Sequence, residues 1–72
     1  MGRMLDMLLE ASTAYDVRRE KDGYSLIANP AQPDVFNDVV RDALEKAGDD
    51  FVAFPTSDGR QGYSQMFIIP LD

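Results

Sequence analysis

Residues 50–71 carry apolar side chains on both faces of the hairpin they are suited to form. In extended conformation Val52, Phe54, Tyr63, Phe67 and Ile69 point one way, and Phe51, Ala53, Met66 and Ile68 point the other. A sheet with one face in water alternates apolar and polar residues, so both sides of this hairpin need cover. Either helices lie on opposite faces, or the helices share one face and a second chain takes the other. A chain of 72 residues with no cysteine has a small core and no disulfide to supplement it, which makes assembly a natural source of stability. The expected assembly is a homodimer that buries one sheet face or pairs an edge strand, with Met66, Phe67 and Ile68 contributing.

The rest of the chain supplies two helices and one further strand. Residues 4 to about 20 read as a helix, with Met4, Leu5, Leu8, Leu9, Ser12 and Tyr15 in one stripe, basic residues in the last turn and Gly23 as the stop. Residues 24–28 are rich in strand formers and are closed by Asn29-Pro30. From residue 33 to about 47, Phe36, Val39, Val40, Ala43, Leu44 and Ala47 repeat at helical spacing. Pro33 suits the first turn there, with Gln32 or Ala31 as the cap, and Gly48 supplies the stop. Residues 50–54 and 61–71 are then the hairpin strands. Asp58-Gly59 is the favoured pair for a tight turn, setting Phe54 against Tyr63 and Val52 against Gln65. Pro55 argues for an edge position, or for a wider, bulged loop over residues 56–62.

These elements predict one small α+β domain spanning residues 1–72, a two-layer structure in the order α-β-α-β-β. Its sheet has three strands, mixed if residues 24–54 form a parallel β-α-β crossover and antiparallel if a strand intervenes. Phe36, Val40 and Leu44 are expected in the core.

Composition narrows the chemistry. With no His and no Cys, a Cys/His zinc site, a thiol nucleophile and a histidine base are all excluded. Ser12, Ser25, Ser57 and Ser64 lack a recognisable base, and residues 59–62 lack the glycines and following Lys of a phosphate loop. Asp49-Asp50 and Asp58-Gly59 have neither the count nor the spacing of a calcium loop. The expectation is therefore a non-enzymatic interaction or accessory protein, such as a regulatory subunit or inhibitor, with no cofactor and no metal. The alternatives are a small subunit that completes the active or ligand site of another chain, and a structural homo-oligomerisation module.

Charge bears on partners. Thirteen acidic residues against seven basic ones give a net charge of −6, which repels phosphate backbones and anionic lipid. Asp34, Asp38, Asp42, Glu45 and Asp49 recur at three- and four-residue spacing on one side of the second helix. They present a row of carboxylates to a basic protein, imitate a nucleic-acid backbone, or form the helix's solvated face. Arg18, Arg19 and Lys21 are interleaved with Glu20 and Asp22, too small a patch for direct nucleic-acid binding. No stretch has the 18 apolar residues of a membrane helix, and residues 1–10 make a poor signal peptide, so a cytoplasmic location is expected.

Overall fold

The computed structural model describes residues 3–10, 13–57 and 62–71. Six elements follow in the order α1 (Arg3–Leu9), β1 (Tyr15–Arg19), β2 (Tyr24–Ala28), α2 (Pro33–Lys46), β3 (Phe51–Ser57) and β4 (Tyr63–Pro70). The sheet has four strands, where the sequence led us to expect three, and the order is α-β-β-α-β-β. The correction lies in the first quarter of the chain. The helix expected to reach residue 20 stops at Leu9, and its second half is the strand β1. Tyr15 is compatible with either period, but Asp16 and Arg18 are exposed while Tyr15 is buried and Val17 partly so, which is the two-residue alternation of a strand. Asp22-Gly23 accordingly belongs to a β1–β2 hairpin, with the Glu20 amide donating to the Gly23 carbonyl at 2.8 Å.

Strand order is β1-β2-β4-β3, and every neighbouring pair is antiparallel. β2 and β3 run in the same direction but are not paired with each other, so the sheet is antiparallel throughout, as expected if a strand intervenes. Helix α2 carries the chain over one strand position, and β4 fills the gap between them. The hairpin register also differs from the tight-turn expectation. Phe54 faces Phe67, Val52 faces Ile69 and Ser57 faces Tyr63, with an irregularity between Thr56 and Ser57. This register pairs aromatic with aromatic and β-branched with β-branched, each such pair worth about 0.2–1 kcal/mol. The tight-turn register would have set Val52 against Gln65. The Asp58-Gly59 pair lies outside the described residues.

Both helices share one face of the sheet. Leu5 and Leu8 of α1 and Phe36, Val40 and Ala43 of α2 form a single buried cluster with Tyr15, Leu26, Phe51, Ala53, Met66 and Ile68. Tyr63 packs against this cluster rather than standing with Phe67 and Ile69, because the irregularity in β4 breaks its alternation. Leu44, expected inside, is 39% exposed at the margin of the α2 stripe. Helix α2 begins at the expected place: Gln32 is its N-cap without a side-chain capping bond, and Pro33 follows at the first position. The Gln32 side-chain Nε2 instead donates to the Thr13 carbonyl at 3.1 Å, tying the start of α2 to the segment before β1. No helix among the described residues is long and apolar enough to cross a membrane.

Candidate functional site

With α1 and α2 on one face, no layer of the described residues lies over the opposite face of the sheet. The ladder places two cross-strand rows there: Arg18, Ser25, Phe67 and Phe54, and beside it Asp16, Ile27, Gln65 and Thr56. Val52 and Ile69 extend the surface past the first row. The centre of this face is apolar and its β1 border is charged. Phe54 is 51% exposed, whereas Phe67, Ile69, Val52 and Ile27 are half-buried by their neighbours. Scattered exposed apolar residues are ordinary on a protein surface, but a contiguous apolar sheet face rimmed by polar groups is the form of an interaction surface. A groove of about 380 Å³ opens at one end of the sheet between residues 27–30, Pro33 and residues 63–64, and Ile27 belongs to both surfaces.

The residues singled out from sequence divide between the two layers. Phe67 lies in the middle of the open face. Met66 and Ile68 point the other way and are fully buried beneath the helices, so they face the chain's own core and are not available to a partner. The acidic residues Asp34, Asp38, Asp42, Glu45 and Asp49 are all exposed. The first four lie on α2, and Asp49 lies just past its C-terminus. Asp38 pairs with Arg41 at 3.2 Å and Asp42 with Lys46 at 3.5 Å, bonds along a solvated surface that contribute little each. Among the described residues, no three acidic side chains converge as a metal site would require.

Sequence reasoning missed the border of the open face. From spacing alone Asp16 and Arg18 fall within the expected first helix, with Arg18 near its C-terminal pole. The available signal was the alternation in Tyr15-Asp16-Val17-Arg18 followed by Asp22-Gly23. Asp50 was also missed: one carboxylate oxygen accepts from the Leu5 amide at 3.3 Å, and the other is buried without a hydrogen bond among the described residues. It holds the first turn of α1 to the start of β3, a structural task. The chain matches no family model, no curated protein and no solved structure in the comparisons made.

Proposed function

We propose that this chain is a non-enzymatic protein-interaction module that self-associates and binds a second protein through the open face of its sheet. The observation that carries the reading is the apolar surface of Val52, Phe54, Phe67, Ile69 and Ile27 opposite the helix layer, with Phe54 half in solvent. Burying such a surface releases roughly 25 cal/mol per Å² before the costs of association, and an exposed aromatic ring such as Phe54 is the usual kind of anchor. The α2 carboxylates serve this reading as solubilising charge on the far side of the molecule.

The test compares three baits in quantitative affinity capture from the source cell: the unaltered chain, Phe54→Asp, and a variant with Asp38→Asn, Asp42→Asn and Glu45→Gln. A protein retained by the first and third baits and lost with the second supports binding through the open face. Loss with the acid-neutralised bait alone would move the binding site to α2 and reject the proposal. Phe54 is outside the core, so a melting curve close to that of the unaltered chain checks that the second bait is folded.

A further inference from the structure

We propose that the outer edge of β1 pairs antiparallel with β1 of a second copy, joining two four-stranded sheets into one continuous sheet. The inference rests on the self-association in the proposed function and is independent of the open face. It begins with the phase of the β1–β2 ladder. The Asn29 amide donates to the Ala14 carbonyl at 2.9 Å and the Glu20 amide to the Gly23 carbonyl at 2.8 Å. Asp16 and Arg18 share that phase and direct their backbone groups at Ile27 and Ser25. Tyr15, Val17 and Arg19 therefore direct their N–H and C=O groups at the outer edge, where no hydrogen bond among the described residues reaches them.

The other edge of the sheet is blunted. The Leu71 amide donates to the Asp50 carbonyl at 3.0 Å, which assigns the backbone groups of Val52, Phe54 and Thr56 to β4 and those of Phe51, Ala53 and Pro55 to the outside. Pro55 thus sits where a pairing strand would need a donor, and it has none. Between two edges, β1 is the one competent to add a strand.

The sequence of β1 then selects its own partner and register. In a two-fold antiparallel pair centred on Val17, each Val17 exchanges both backbone bonds with Val17 of the second copy, and Tyr15 does the same with Arg19 of the second copy. Asp16 falls directly opposite Arg18 of the second copy, and Arg18 opposite Asp16, at non-hydrogen-bonded positions where side chains come within about 4.5–5.5 Å. Both side chains are exposed in the single chain and free to meet. The neighbouring symmetric registers set Asp16 against Asp16, or Arg18 against Arg18, and are penalised by like charge. Within a chain of net charge −6, β1 is a strand with more basic than acidic residues, so the acidic excess resides elsewhere. A strand of five residues makes a small interface, which places the dimer in the micromolar range.

Charge reversal tests the register. In sedimentation equilibrium the unaltered chain should approach twice its 8.0 kDa mass at tens of micromolar. Asp16→Arg alone and Arg18→Asp alone should each weaken dimerisation at least tenfold, because each sets like charges opposite one another twice. An equimolar mixture of the two variants should recover the dimer, since every opposed pair then carries opposite charge. Amide exchange of the unaltered chain gives a readout that needs no variant. Protection at Tyr15, Val17 and Arg19 should rise with concentration, while Asp16 and Arg18 stay protected throughout. A monomer at all concentrations would overturn both this pairing and the self-association reading. A dimer indifferent to both reversals, or one whose Val17 amide stays unprotected, would overturn the β1 pairing alone.

Discussion

The Tyr15 ring meets Phe36 edge-on, with centroids 5.9 Å apart, and its hydroxyl donates to the Leu8 carbonyl at 2.8 Å. One side chain thereby joins β1, α2 and the last turn of α1. Burial, with a smaller contribution from the nearby Glu10 carboxylate, raises the Tyr15 hydroxyl above its ordinary value of 10.0. The unfolded chain then gives up this proton at lower pH than the folded one. The stability contributed is complete below pH 10.0 and is lost as pH rises through the raised folded value. Tyr15→Phe should cost about 0.5–1.5 kcal/mol at neutral pH, by losing the bond to the Leu8 carbonyl, and it should flatten the alkaline fall in stability. Urea titrations of both proteins at pH 7 and above pH 10 measure each effect. Gly23 and Gly62 resist substitution for different reasons. A methyl group at Gly23 would overlap the Ile68 carbonyl oxygen, a backbone atom that moves only with β4. Gly62 has φ +119° and lies against the Asn37 side chain, whose Oδ1 accepts from the Tyr63 amide at 2.9 Å. Gly23→Ala should therefore be the more damaging of the two alanine substitutions, a ranking that thermal melts can check.

Helix α2 separates the core stripe from its margin. Val40 is fully buried whereas Leu44, one turn later, is 39% exposed. Val40→Ala removes buried methyl groups and leaves a cavity, costing about 1–3 kcal/mol, whereas Leu44→Ala should cost less than about 1 kcal/mol despite deleting more atoms. Equal losses in chemical denaturation would contradict this placement of the helix. Its existence, start at Pro33 and stop before Gly48 were legible because the spacing of Phe36, Val40 and Ala43 admits only the helical period. Strand β1 was not, because one aromatic residue at position 15 completes a helical stripe as well as it begins an alternation, and Gly23 stops a helix as well as it turns a hairpin. The apolar character of both hairpin faces could be read directly, since alternation needs no partner. Its register could not, because that depends on where β4 bulges, and the bulge is set by the docking of Tyr63 and Asn37. The same division holds for the candidate site: Phe54 and Phe67 could be found from alternation, whereas Asp16 and Arg18 become its border only once β1 exists.

Across the whole molecule, the net charge of −6 is held within extents of 33 × 20 × 20 Å. At about 0.01 M salt the screening length is about 30 Å, so nearly every carboxylate interacts with every other; at about 0.15 M it is about 8 Å, and only near neighbours remain coupled. The near neighbours include the attractive pairs Asp38–Arg41 and Asp42–Lys46, while the excess repulsion is long-ranged. Added salt should therefore remove more repulsion than attraction, and the folded state should gain up to about 1 kcal/mol between those ionic strengths. The combined variant Asp38→Asn, Asp42→Asn and Glu45→Gln halves the excess charge and deletes both attractive pairs, so the two losses oppose one another. Its stability at about 0.15 M should stay within about 1 kcal/mol of the unaltered chain, and its dependence on salt should be flatter. Urea denaturation of both proteins at the two salt concentrations, below the dimerisation range, isolates the single chain from assembly. A fall in stability on adding salt would mean that local pairs outweigh the global charge, and the α2 carboxylates would then be holding the helix in place rather than solubilising it.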